Sequence, residues 1–129
     1  MMMIEHPAAH AEVSAAFAAY EAALMANDLE ALDGFFWQSP STVRFGVGES
    51  LFGFEAIAAF RVGRRGGSPQ RQLRSTQIIC FGETCAVATT EFIRENEARI
   101  GRQSQTWIKI PEHGWRIVSA HVSLAAEKS

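Results

Sequence analysis

The chain predicts an α+β domain in which helices cover one face of a curved antiparallel sheet, and three features of the sequence lead there. The order of patterns is helix, helix, strand, helix and then four successive long strands, which segregates helices from sheet. The last quarter, from Gly101 to Leu124, reads as two strands joined by turn chemistry at Pro111-Glu112-His113-Gly114. Those two strands alternate in residue type but are nearly uncharged, so the sheet is expected to be covered on both sides. Such a sheet curls into a cone whose mouth holds a pocket.

Composition narrows the function classes. With 129 residues, of which 47% are hydrophobic, a single domain spanning 1–129 is expected. A formal net charge of -2 advertises neither a nucleic-acid nor an anionic-membrane partner. No apolar run approaches the roughly 20 residues of a membrane span, and the N-terminus lacks signal-peptide regions, so the expected location is cytoplasmic. Cys80 and Cys85 flank a turn. In a reducing compartment they are expected to be core thiols, and two cysteines alone make no structural zinc site.

The elements follow in order. Met1 to Pro7 is expected to fray. Ala8 to Ala26 is Ala-rich, and Val13, Phe17, Tyr20 and Leu24 form one apolar helical stripe that turns Tyr20 inward. Asn27-Asp28 ends this helix, with Asp28 as N-cap for Leu29 to Phe36. A strand runs through Val43, Arg44, Phe45 and Val47, and Phe54 to Val62 reads as a third helix. Gly63 to Pro69 is the most loop-like segment, a candidate lid or rim carrying Arg64 and Arg65. Strands are then predicted over Gln72–Phe81 and from Cys85 to about Glu95, before the final hairpin.

Several side chains are candidates for chemistry. Ile117, Ser119, His121 and Ser123 alternate on one polar, uncharged face of the last strand, the composition of a cavity lining, and Gln105 is offered by the strand before it. Taken alone, His121 reads more readily as a satisfied core histidine than as a catalytic base. Arg44 stands alone in an apolar strand, on the face opposite Val43, Phe45 and Val47. It either meets solvent and an acidic neighbour or grips a carboxylate bidentately, and Glu49 is placed to orient it. Arg74 poses the same alternatives. Arg61, Arg64, Arg65, Arg71 and Arg74 crowd one stretch of a chain with a net negative charge, a bias that favours a small anionic ligand even if most of them form a solvated rim. No metal site is expected: His6 and His10 have helical spacing but flank Pro7 and a frayed end, and His113 lies in a turn. There is no Gly-x-Ser-x-Gly elbow and no phosphate-cradling glycine pattern, and no cofactor is expected.

Longer strings then carry a resemblance. Gly101-Arg102-Gln103-Ser104-Gln105-Thr106-Trp107 and Gly114-Trp115-Arg116-Ile117-Val118-Ser119-Ala120-His121-Val122-Ser123 resemble the AtzH-like family, which includes oxalurate catabolism proteins. Tyr20-Glu21-Ala22-Ala23-Leu24, Asn27-Asp28, Phe36-Trp37, Thr42-Val43-Arg44-Phe45-Gly46, Gly48-Glu49 and Phe60-Arg61 fit the same pattern at matching distances. The resemblance covers nearly the whole chain. It implies the SnoaL-like, nuclear-transport-factor-2-like superfamily, a cystatin-like cone with three N-terminal helices, and homodimers paired through the outer sheet face.

It further implies a decarboxylating amidohydrolase acting on a small N-carboxylated urea such as 1,3-dicarboxyurea and yielding urea-1-carboxylate (allophanate). The family ties activity to the tyrosine of the first helix and the arginine of the first strand, which match Tyr20 and Arg44. On this expectation Arg44, Arg74, Gln105, His121 and Ser123 hold a flat dianionic ureide while Tyr20 supplies a proton. The rival from another class is a non-catalytic module that binds an oxalurate-like anion or supports an amidase partner. A polyketide cyclase or isomerase would need a greasier pocket with an acid-base His or Asp, and the arginine bias speaks against it.

Overall fold

The computed structural model describes residues 5–126. Helix α1 spans Pro7–Ala26, with proline in its first turn and the His6 side chain accepting from the Ala9 N–H. Proline suits that position because its missing N–H would have no helical partner. The fraying expected for residues 1–7 therefore does not extend to His6 and Pro7, and the Glu5 N–H is also tied to the Cys80 carbonyl at 2.9 Å; residues 1–4 lie outside the described residues. Asn27 closes α1 in the left-handed conformation, and Asp28 caps α2 (Leu29–Phe35) by accepting from Ala31 N–H at 3.2 Å. Val13, Phe17, Tyr20 and Leu24 are all buried, as their spacing requires.

Six strands follow the expected order with one addition. β1 (Val43–Phe45) is short, and β2 (Ser50–Phe52), which the sequence pattern does not announce, returns antiparallel to it through the Gly46–Glu49 turn. Helix α3 spans Phe54–Gly63, and β3 (Arg71–Cys80), β4 (Cys85–Arg94), β5 (Gly101–Ile110) and β6 (Gly114–Leu124) form the long meander. The sheet order is β2-β1-β6-β5-β4-β3, antiparallel except where β1 runs parallel to β6. Helices pack on one face, and Trp107, Phe36, Leu32, Ile57 and Ile117 fill the space between, each at most 1% exposed. Among the described residues no helix is long and apolar enough to cross a membrane. Cys80 and Cys85 are free thiols.

Two irregularities shape the sheet. In β3 the register shifts between Arg74 and Gln77, and Ser75 takes a positive φ of 54°. In β6 Thr106 faces Ser119 while Trp107 faces Ile117, so Val118 is an extra residue. A bulge of this kind bends the strand and raises its twist. It also changes which residues look inward. Ile117 faces the core, whereas Ser119, His121 and Ser123 face outward and Ala120 and Val122 are buried. The expectation that Ile117, Ser119, His121 and Ser123 share one cavity-lining face is corrected here: alternation counted through a bulge inverts the assignment.

Gly101 stands opposite Phe92 across β4 and β5, and a Cβ at position 101 would lie 2.1 Å from that ring. The missing side chain is the space into which Phe92 packs. Gly101→Ala is expected to lower stability by about 1–3 kcal/mol, the usual range for overpacking. Denaturant unfolding measures it, and an unchanged midpoint would mean that the Phe92 ring is not fixed by the glycine.

Candidate functional site

The inner face of the sheet gathers an unusual number of guanidinium groups. Arg44 pairs with Ala120 in register, which turns its side chain to the helix-covered face while Val43 and Phe45 oppose Ser119 and His121 outside. Its Nη1 donates to Glu49 Oε2 at 2.9 Å. Gly46 makes this possible, because a Cβ there would fall on the Glu49 carboxylate at 1.7 Å. Glu49 thus folds back over a glycine to reach Arg44.

Helix α3 adds two more cations. Arg61 lies one turn beyond Ile57 on the buried face and is only 4% exposed. It donates to Asp33 of α2 at 2.8 Å and lies 4.6 Å from the centre of the Phe36 ring. Arg64, just past the helix end, stacks over Phe60 at 5.3 Å, and Arg44 approaches the same ring at 5.6 Å. Tyr20 is buried beside Phe35 and Phe36, with ring centres 6.0 and 6.1 Å away, and its hydroxyl makes no hydrogen bond among the described residues.

Arg71 and Arg94 complete the group from β3 and β4. Arg71 donates through Nε and Nη2 to both oxygens of Glu21 at 2.9 and 2.7 Å, and Nη2 also reaches Gln103 Oε1 at 2.9 Å. This fork joins the sheet to α1 one residue from Tyr20. Arg71 and Arg94 lie over the Phe92 ring at 4.5 and 5.2 Å. Gln105, also on the inner face, uses its Oε1 to accept from the Trp107 indole at 3.0 Å.

The electrostatics follow from this crowding. Burial lowers the Arg61 pKa below the usual arginine value, and nearby Tyr20 and Asp33 oppose the shift. Arg64 is lowered by burial and then by repulsion from Arg44, opposed by Tyr20 and Glu49. Arg94 is lowered by burial and then by Arg71, with Arg44 also repelling it and Glu97 and Glu49 opposing. An arginine stays charged even so. Tyr20, Arg44, Arg61 and Arg64 therefore belong to one electrostatic neighbourhood, and Arg44 links it to Arg94.

Other expected ligand contacts lie elsewhere. Arg74 pairs with Glu91 at 3.0 Å on the outer face, with both side chains more than 40% exposed. His121 and Ser123 border an outer depression of about 370 Å³ together with Ser75, Glu91, Arg102 and Ser104. They are separated by the sheet from Tyr20, Arg44 and Gln105. Conversely, Arg61, Arg64, Arg71, Arg94 and Gln103 face inward, where a solvated rim was expected for the first three. The signal was present: Arg94 is in period-two phase with buried Ala88 and Phe92.

Comparison with known proteins places the chain. The AtzH-like family model matches residues 2–128. The chain belongs to the AtzH-like family. A structure from Pectobacterium atrosepticum, described as a protein of unknown function, is 48% identical over 98% of this chain and 100% of its own, with a TM-score of 0.93. A cystatin-like fold protein from Burkholderia xenovorans is 43% identical over 99% of this chain and 100% of its own, with a TM-score of 0.94. A nuclear transport factor 2-like superfamily protein from Salmonella enterica shares 26% identity over 95% and 94% of the two chains, with a TM-score of 0.75. A comparison with curated proteins finds no match. The AtzH-like chain thus has the cystatin-like, nuclear-transport-factor-2-like fold.

The two faces make opposite demands on stability. Glu21→Ala is expected to cost about 3–5 kcal/mol because it strands a buried guanidinium. Arg74→Ala is expected to cost less than about 1 kcal/mol, as an exposed pair would. Urea unfolding of both variants checks this, and equal effects would contradict the assignment of faces.

Proposed function

We propose that this AtzH-like protein is a cytoplasmic decarboxylating amidohydrolase that converts a small N-carboxylated urea such as 1,3-dicarboxyurea to urea-1-carboxylate (allophanate), in ureide, oxalurate or s-triazine nitrogen catabolism. The observation that carries the reading is that Tyr20 and Arg44, the pair that the family resemblance ties to activity, lie on the inner face beside Arg61 and Arg64: Tyr20 and Arg61 flank the Phe36 ring, and Arg44 and Arg64 share the Phe60 ring. A partly buried cationic cluster beside a phenol suits a substrate with carboxylates on a planar amide frame.

In this proposal Arg44, steadied by Glu49, forks onto one carboxylate. The N–C bond to the departing carboxyl breaks, its electron pair stays on nitrogen, and the carboxyl leaves as carbon dioxide. The nitrogen takes its proton from the Tyr20 hydroxyl, and solvent restores that proton. Gln105, buried and held by Trp107, is the amide partner on the same face. Arg74, His121 and Ser123 have no role in it because they face the other way.

The outer face fits the homodimer that the resemblance implies. Phe52 is 67% and Phe45 37% exposed, and the Phe45 ring meets the Phe52 and His121 rings edge-on at 5.8 and 5.9 Å. Apolar area of this kind is usually covered by a partner. Phe52→Asp is expected to shift the protein toward monomer in light scattering, and an unchanged mass would remove this face from the interface.

The reaction is tested with freshly generated 1,3-dicarboxyurea, following carbon dioxide and allophanate against an enzyme-free control. Tyr20→Phe is expected to lower kcat by about 10²-fold or more, the usual share of a general acid, with binding little changed. Arg44→Lys should impair both by losing the fork. Full turnover by Tyr20→Phe would dismiss the proton-donor role. No acceleration by wild type, together with thermal stabilisation by oxalurate, would make the protein a binding module.

A further inference from the structure

The inner cluster does not balance its charge. Three arginines have carboxylate partners: Arg44 with Glu49, Arg61 with Asp33 and Arg71 with Glu21. Arg64 and Arg94 make no salt bridge and no side-chain hydrogen bond among the described residues, and each rests on one face of a phenylalanine ring. Glu97 also faces Arg94 but is paired with Arg99, so the five guanidinium groups have three carboxylates of their own. Two positive charges remain.

The unsatisfied atoms point the same way. Among the described residues, the buried side-chain polar atoms without a partner are Arg61 Nη2, Arg64 Nε, Arg94 Nε and Gln103 Nε2. All four are N–H donors. Gln103 is especially telling, since Arg71 takes its carbonyl oxygen and so leaves only its amide N–H groups to offer. Buried donors without acceptors are costly, and a cluster of them among surplus cations is complementary to an anion. Arg64 and Arg94 also come from different elements. Arg64 shares the Phe60 ring with Arg44, and Arg94 shares the Phe92 ring with Arg71, while Arg44 and Glu49 also act electrostatically on both Arg64 and Arg94.

We propose that Arg64 and Arg94 form a second carboxylate-binding locus beside Arg44, and that the surplus of two charges makes the cluster select a dianion over a monoanion of the same length. This rests on the reading above that the site takes a small ureide. It adds a specificity device: loss of one carboxylate during the reaction leaves a monoanion in a pocket built for two charges, so the product is held less tightly than the substrate. No further group is needed for release.

The test uses unreactive probes, so that it does not depend on turnover. Glutarate has its carboxyl carbons four bonds apart, as in 1,3-dicarboxyurea, and valerate is its monoanionic counterpart. In titration calorimetry, wild type is expected to bind glutarate about tenfold or more tighter than valerate, the scale of one charge-assisted contact. Arg64→Gln and Arg94→Gln should each bring that ratio close to one while changing valerate affinity only a few-fold. Arg94→Lys, which retains the charge but not the fork, should fall between, with circular dichroism reporting whether each variant is folded. Equal binding of both probes by wild type, no binding of glutarate, or a ratio untouched in both Gln variants would overturn the proposal. Selective glutarate binding without turnover of dicarboxyurea would uphold it while removing the enzymatic reading, and turnover without selectivity would do the reverse.

Discussion

A guanidinium withdrawn from water must find carboxylates, aromatic faces or a ligand, and the inner face of this sheet is arranged around that requirement. The Arg71 fork to Glu21 shows how the fold uses it. Both oxygens of Glu21 and the carbonyl of Gln103 converge on one side chain, which ties β3 to α1 and β5 at once. Because Glu21 adjoins Tyr20 in the helix, the same contact that closes the cone also fixes where the phenol enters it. Phe92 then supports Arg71 and Arg94 from below, and the ring has its place because Gly101 contributes no side chain. A packing decision in the sheet thus becomes an electrostatic decision in the arginine cluster.

The sequence made the helices and the Arg44 side of β1 legible because their periods run unbroken. Val13, Phe17, Tyr20 and Leu24 are one stripe, and nothing interrupts the alternation around Arg44. The last strand was misread for the converse reason. Val118 is an extra residue, and period-two counting carried through it placed His121 and Ser123 inside when they lie outside. Nothing in the residue type of Val118 marks a bulge, so only the register with β5 reveals it. β2 is no shorter than β1, but it lies between Gly48 and Gly53, whose turn signals mask it. Residue type alone assigns Arg61 to a solvated rim and does not single out Arg94, although both positions are in phase with buried neighbours.

The outer face carries a different chemistry. Arg74 and Glu91 neutralise each other in water, Ser104 and His121 face one another across β5 and β6, and Phe45 and Phe52 form the apolar edge. Polar groups there can be satisfied by solvent or by a facing surface without any demand on the interior. The sheet therefore separates two chemistries that its sequence interleaves residue by residue: solvated or mutually paired polar groups with an apolar edge outside, and a cation-rich cluster within.

The remaining question is how a cluster with surplus positive charge stays folded before any ligand arrives. Part of the answer lies in where α3 ends. Arg61 sits in its last turn and Arg64 caps it, so both lie at the end where the backbone carbonyls carry partial negative charge. Cations there are favoured by about 0.3–1 kcal/mol each, and by more when partly buried. Stacking on Phe36, Phe60 and Phe92 adds a further contribution of about 0.5–2 kcal/mol per contact as water is removed. Neither the helix end nor the rings accept a hydrogen bond from the remaining N–H groups. They offset the cost of the charge while leaving the hydrogen-bonding capacity of the half-buried Arg64 and Arg94 unspent.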